Sequence, residues 1–281
     1  MKFKKIYIEL SDICGLKCDF CPWVKNTRGV MKLSNFKALV EEISNKAELF
    51  TFHLLGDPLL LPNLEEYIQI AYEKNMKLEL TTSGFYFNEK NQNLLLKYSN
   101  IYQINISITA FLSQNKLNLK DYFAPILTFC QKYLEQDIKS FINLRLWNLD
   151  EKFNFPKENL EFYEFLNSYF NVKIDPKQSK NRLARHIILH QKKSFNWPSL
   201  ENKIINTKGT CYGLIKQIGI LSNGTVVPCC LDAKACINLG NIFEKPFTSI
   251  INSQKSKKII QGFKEGKYLE ALCQRCAFNV S

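Results

Sequence analysis

The strongest constraint on the fold is an alternation that runs through the first 175 residues. Short runs rich in Ile, Leu and Phe are each followed by a segment whose apolar residues recur at helical spacing. KIYIEL (5–10), AELFTFHLL (47–55), MKLELTTSG (76–84), INISITA (104–110), SFINLRLWN (140–148) and VKID (172–175) read as strands. LSNFKALVEEISN (33–45), LEEYIQIAYEKN (64–75), NQNLLLKYS (91–99), LKDYFAPILTFCQKYLEQ (119–136) and NLEFYEFLNSYF (159–170) read as helices. Strands joined by helical crossovers run parallel, so the fold class is α/β. Six such units suit a partial (β/α)6, TIM-like barrel better than an open nucleotide-binding sheet, and no Gly-rich fingerprint follows the first strand.

The texture changes after the alternation. Residues 176–210 are mixed and read as a linker with some helix. QIGILSNGTVVPCC then carries two β runs joined by Ser222-Asn223-Gly224, a hairpin signal because Asn-Gly accepts positive φ. A helix is expected over 245–266. The domain plan is therefore a barrel over 1–175, a linker over 176–210 and a small hairpin-plus-helix domain over 211–281.

Composition excludes some classes. Hydrophobic residues make up 46% and charged residues 23% of the chain, as in globular domains. Glu9 and Asp12 interrupt the first apolar run too early for a signal peptide. No apolar stretch approaches the roughly 18 residues of a spanning helix. A soluble, cytoplasmic protein with no membrane partner is expected. The net charge of +12 raises the question of a nucleic-acid partner and RNA modification. The lysines are spread along the whole chain with no Arg-rich arm, which favours a general surface charge instead.

Ten cysteines in an intracellular chain argue for metal rather than disulfides. Cys14, Cys18 and Cys21 fall within eight residues, Cys130 is isolated, and six more lie between 211 and 276. Structural zinc takes four ligands and a [4Fe–4S] cluster normally takes four thiolates. Three thiolates in one loop would leave one iron open, which is what catalysis at a metal needs.

Cys14-x3-Cys18-x2-Cys21 after the first strand of such a barrel, with Phe20 before the third cysteine, resembles the radical SAM superfamily. The resemblance implies that these three cysteines hold a [4Fe–4S] cluster whose fourth iron is chelated by S-adenosylmethionine (SAM). Reductive cleavage of SAM would yield a 5′-deoxyadenosyl radical that abstracts hydrogen from a substrate, with a flavodoxin- or ferredoxin-type donor supplying the electron. Where the family has Gly-Gly-Glu-Pro, this chain has Leu55-Gly56-Asp57-Pro58, so Gly56, Asp57 and Pro58 are expected at the SAM methionine. Ser83 after the third strand, Ser107 on the fourth and Arg145 on the fifth are further candidates for SAM contact. For Arg145 the anion is the SAM carboxylate, an anionic substrate or a structural carboxylate partner.

Cys211, Cys229, Cys273 and Cys276 form a second set, and four cysteines close a site. With the Asn-Gly hairpin and the terminal CxxC, the set resembles the SPASM/twitch extension of radical SAM enzymes. Its length resembles the short form of 2-deoxy-scyllo-inosamine dehydrogenase, which implies one auxiliary [4Fe–4S] cluster; four-coordinate zinc is the alternative. Cys230 and Cys236 have no assigned role, and Cys130 reads as core. His186 and His190 have the i, i+4 spacing of a helical metal pair but no third ligand. Trp23, Trp147 and Trp197 read as packing residues or pocket walls.

The function expected from this resemblance is oxidation of a small hydroxylated or sugar-like metabolite. The radical removes a carbinol hydrogen, a base takes the hydroxyl proton, and the auxiliary cluster accepts the second electron; the acid/base residue is not readable. The alternatives are maturation of a ribosomal peptide, RNA modification and a non-catalytic iron–sulfur carrier. With the first cysteine at residue 14, the N-terminal peptide-recognition domain that peptide-modifying relatives often carry is expected to be missing, which tilts the expectation toward the small molecule without excluding a peptide delivered by a separate protein.

Overall fold

Residue types and structure agree first at the strand β1 (Phe3–Ile8), whose Phe3, Ile6 and Ile8 are fully buried. The computed structural model describes residues 2–22, 28–114, 117–194 and 196–278, so Trp23 lies outside the described residues. The chain forms two compact units, residues 1–15, 20–78 and 195–281 in the first and residues 16–19 and 79–194 in the second.

In the first unit, β1 pairs in parallel with β2 (Ala47–Phe52), the two joined through the helix α1 (Leu33–Ile43). Phe36, Leu39, Val40 and Ile43 recur at helical spacing and are the buried face of α1. Phe36 meets Phe52 edge-on at 5.7 Å between ring centroids and Tyr67 of α2 (Leu64–Glu73) at 5.1 Å.

In the second unit the strand order is β3 (Leu78–Thr82), β4 (Ile101–Ile106), β5 (Phe141–Leu149), then the later pair β7 and β6. The crossovers are α3 (Glu89–Lys97) and α4 (Leu119–Leu134), capped by Asn88 and Asn118, whose side chains accept from Asn91 N and Asp121 N, both at 2.9 Å. The helix α5 (Asn159–Phe170) follows and packs Phe162 against Phe123 at 5.8 Å. Cys130 is fully buried on α4, the core position its apolar neighbours indicate.

The segment expected as a linker departs most from the sequence reading. VKID (172–175) is not a strand; the sixth strand of the alternation comes later. Lys180–Ala184 (β6) and Ile187–Lys193 (β7) form an antiparallel pair, and β7 runs parallel to β5 with Arg145 opposite His190. His186 turns the chain between them at φ +56°, so His186 and His190 are not a helical pair. Lys180 and Arg182 on β6, and His190, Gln191, Lys192 and Lys193 on β7, obscure the strand signal, because they break the apolar run that marks the earlier strands.

The C-terminal region belongs to the first unit. β8 (Gln217–Ile220) lies parallel to the other edge of β1, and β9 (Val226–Val227) returns antiparallel across the expected Asn-Gly turn, with Gly224 at φ +84°. The expected single helix over 245–266 is two, α6 (Phe247–Ile251) and α7 (Gln254–Lys264), with Ser253 capping α7. Among the described residues no helix is long and apolar enough to cross a membrane.

Candidate functional site

The loop after β1 is an excursion whose two ends are stitched together. Ser11 bridges Val30, and Met31 N donates to Leu10 O at 2.8 Å. The Asp12 carboxylate accepts from the backbone N–H groups of Arg28 (2.6 Å) and Gly29 (3.0 Å). The Arg28 guanidinium donates to both oxygens of fully buried Glu9, at 2.9 and 2.7 Å, and to Ala233 O at 3.1 Å. Glu9 also accepts from Leu55 N (3.3 Å) and Ser222 N (3.2 Å). One carboxylate thus ties together the ends of β1, β2 and β8. Neither Glu9 nor Arg28 stood out in the sequence; a carboxylate directly after an apolar strand is the signal that could have drawn attention to it.

Gly56 and Asp57 fit against the start of the same loop. Gly56 has φ +72°, and a Cβ there would lie 2.1 Å from Ser11 O. Asp57 N donates to Ile13 O at 3.1 Å, one residue before Cys14. The buried Asp57 carboxylate accepts from Leu59 N at 3.1 Å and caps the short 3-10 turn Pro58–Leu60, so this side chain has a local structural task.

The three loop cysteines are divided between the units. Cys14 and Cys21 belong to the first, where burial and then the Cys14 charge push the Cys21 thiol up to about 11. Cys18 belongs to the second, where Gln114 Nε2 approaches its sulfur at 3.8 Å and Asp19 N donates to Ser113 Oγ at 3.2 Å. Phe20 is exposed.

The second unit lines one face of its sheet with polar groups. Asn105, fully buried, donates to Thr81 Oγ1 (3.3 Å) and accepts from Gln103 (2.9 Å) and Asn143 (3.1 Å). Gln103 and Arg145 both reach the Glu79 carboxylate, at 3.3 and 3.5 Å. Glu79 is thus the carboxylate partner of Arg145 left open above. Ser83 is buried with its carbonyl accepting from Tyr122 at 2.7 Å, and Ser107 follows the last residue of β4 rather than lying on it. The network escaped the sequence reading because Glu, Gln and Asn at alternate strand positions look like a solvent face.

Cys211, Cys229 and the Cys273/Cys276 pair come from three separate stretches and line a single cavity in the first unit, with Tyr268, Leu272 and Phe278 among its walls. Gly213 N donates to Cys211 Sγ at 3.3 Å. All four thiols are pushed up, burial being the largest cause in each. Thiols so placed need a cationic centre to become thiolates, and an iron–sulfur cluster supplies one. Four cysteine donors at one cavity are the donor set of a [4Fe–4S] cluster and equally of tetrahedral zinc. Cys230 packs against Leu54, Leu55 and Leu221 with its thiol hydrogen-bonded to Tyr7, and Cys236 is exposed next to Asp232.

Comparison with known proteins agrees with this arrangement. The family described as "Radical SAM superfamily" matches residues 8–161, more than half of the chain, and "SPASM: Iron-sulfur cluster-binding domain" matches residues 211–277. No curated protein matches in sequence. Among solved structures, BtrN in complex with AdoMet and 2-DOIA is similar at TM-score 0.59 and 20% identity, covering 100% of this chain and 96% of that one. SuiB of Streptococcus suis bound to precursor peptide SuiA is similar at TM-score 0.61 and 17% identity, covering 97% and 71%. Native anSMEcpe with bound AdoMet is similar at TM-score 0.61 and 14% identity, covering 96% and 94%. These likenesses show a shared fold. The chain belongs to the radical SAM superfamily, with a C-terminal SPASM domain, and its cofactors are therefore S-adenosylmethionine, a [4Fe–4S] cluster and auxiliary iron–sulfur.

Proposed function

We propose that this enzyme oxidises a small hydroxylated or sugar-like metabolite. In this reading Cys14, Cys18 and Cys21 hold the SAM-binding cluster, and Cys211, Cys229, Cys273 and Cys276 hold one auxiliary [4Fe–4S] cluster. When bound, these groups supply a 5′-deoxyadenosyl radical for hydrogen abstraction and a place for the second electron. The chain's own residues do the positioning. Gly56 lets the backbone of Gly56-Asp57-Pro58 lie against Ile13, beside the first cysteine, where it can face the methionine part of SAM. Phe20, Ser83, Ser107 and Arg145 are the remaining candidate contacts to SAM or substrate. The barrel is assigned to residues 1–175 and the auxiliary domain to 211–281, and the electron comes from a flavodoxin- or ferredoxin-type donor.

The observation that carries this reading is the contrast between the two thiol sets. Four cysteines share one cavity, which closes a site, while the loop offers three and leaves a coordination position. The likeness to BtrN with 2-DOIA favours a small molecule. The likeness to SuiB with its precursor peptide favours peptide maturation as the second reading.

The test is anaerobic reconstitution, reduction, and product analysis after adding polyols, aminocyclitols or candidate peptides. Formation of 5′-deoxyadenosine together with a product two hydrogens lighter from a hydroxylated small molecule supports the proposal. A modified peptide with no turnover of small alcohols replaces it with the second reading.

A further inference from the structure

Trp147, near the C-terminal end of β5, is surrounded by donors and cations. The Arg145 guanidinium carbon lies 4.7 Å from its ring centroid, and Lys192 Nζ lies 5.0 Å from it. The His190 ring stands edge-on at 5.8 Å with an interplanar angle of 86°. The indole Nε1 is buried, yet it finds no acceptor among the described residues. A buried N–H without an acceptor costs free energy and calls for an explanation. Thr109 accounts for the Trp147 backbone, since its hydroxyl accepts from Trp147 N at 2.8 Å and donates to Arg145 O at 3.2 Å. Among the described residues no group accepts from the indole.

These side chains share one place in the second unit. Arg145 and His190 are register partners on the parallel strands β5 and β7, so they project from the same face. The neighbours on β5, Leu144 and Leu146, point the other way and are fully buried. Lys180 on β6 pairs with His190 and adds a further positive charge. Trp147 and Lys192 are each within two residues of the C-terminal end of their strands, the end at which barrels bind ligands. The Glu79 carboxylate reaches Arg145 at a long 3.5 Å and also receives Gln103.

We infer that Trp147, His190 and Lys192, with Arg145 beside them, form a subsite for an anionic group, a carboxylate or a phosphate, carried by the substrate. The anion accepts from the indole N–H and from the Lys192 ammonium, and its charge offsets the cluster of cations. His190 contributes an N–H from whichever ring nitrogen faces it. That the anion belongs to the substrate rests on the proposed enzymatic function; that an anion binds here rests on the geometry alone. The substrate class narrows accordingly to hydroxylated metabolites bearing an acidic group.

The test is calorimetric titration of the reconstituted holoenzyme with inorganic phosphate and, separately, with acetate, each with and without saturating SAM. One of the two anions is expected to bind saturably, with an affinity that SAM leaves unchanged. Lys192→Gln and Trp147→Phe are each expected to weaken binding about tenfold, the worth of one charge-assisted hydrogen bond. Lys192 is exposed, so its variant keeps the test decisive should Trp147→Phe fail to fold, which near-ultraviolet circular dichroism would reveal. Absence of saturable binding by either anion overturns the inference. So does binding that both folded variants leave unchanged. Loss of binding in the presence of SAM also overturns it, by giving the cluster to the SAM carboxylate. Failure of the wild-type protein to form 5′-deoxyadenosine counts against the proposed function and leaves the titration readable.

Discussion

Arg28 clasps Glu9 through two hydrogen bonds of 2.9 and 2.7 Å, joining the far end of the cysteine loop to the end of β1. Glu9 is fully buried and Arg28 is 13% exposed in its side chain, so the pair is shielded from solvent. Because Leu55 and Ser222 also donate to Glu9, the same carboxylate holds the strand ends beside the loop in place.

Removing one partner of such a pair leaves the other as an uncompensated buried charge. Arg28→Met is expected to destabilise the protein by about 3–5 kcal/mol in urea unfolding. Glu9→Gln is expected to cost at least as much, because it leaves Arg28 uncompensated and its amide nitrogen would face donors from Arg28 and from Leu55 N or Ser222 N. Equal stability of wild type and Arg28→Met would show that the pair does not hold the loop.

Gly56→Ala puts a methyl group 2.1 Å from Ser11 O on a backbone at φ +72°. Strain of this kind costs on the order of 1–3 kcal/mol, and relief requires the 55–58 turn to move away from Ile13. The expected result is a lower melting temperature together with weaker SAM binding, read by calorimetry on the reconstituted protein. Gly29, with open space around its Cβ position, provides the contrast: Gly29→Ala meets no clash and pays only for its backbone conformation.

Iron content separates the two thiol sets. Full reconstitution is expected to give about eight irons per chain, as two four-iron clusters. Cys211→Ala or Cys273→Ala should lower this to about four, as should Cys18→Ala. Cys130→Ala should leave it unchanged, since that thiol is sealed in the core. Eight irons retained in Cys211→Ala would remove the auxiliary-cluster assignment.

His190 offers a pH test. Burial first, then Lys192, Arg145 and Lys180, lower its pKa from 6.5 to about 4, so the ring is neutral at pH 7. Between about 4 and 6.5 the unfolded chain then binds the proton that the folded chain refuses. This contribution to stability is present above pH 6.5 and is lost as pH falls toward 4. His190→Gln should flatten that part of the stability profile. Histidine ring resonances followed by NMR should show the depressed titration, and Lys192→Gln should raise it. A titration at the ordinary value would mean that the cationic neighbours are not where the geometry puts them.

Much of this was legible in one dimension. The strand–helix alternation is local, because each helix carries its own apolar face and each early strand its own apolar run. Cys14, Cys18 and Cys21 are equally local, and their spacing needs no tertiary contact to be seen. The sheet strands β6 and β7 were not legible, because Lys180, Arg182, His190 and Lys192 alternate with buried residues that include the polar Asn181 and Gln191. The local task of the Asp57 carboxylate, capping Pro58–Leu60, was not legible either, because it depends on the turn that follows β2.

The amino-acid sequence by itself determined the class of fold, the cysteine loop and the chemistry those cysteines imply, since periodicity and spacing are written along the chain. Tertiary structure alone decided what comes together across long separations. It brought Glu9 to Arg28 and Ser222, Cys211 to Cys276, and Arg145 to His190. Such pairings depend on which strands become neighbours. Pairing partners are chosen by burial of whole faces, a property that no single segment possesses before the others have folded against it.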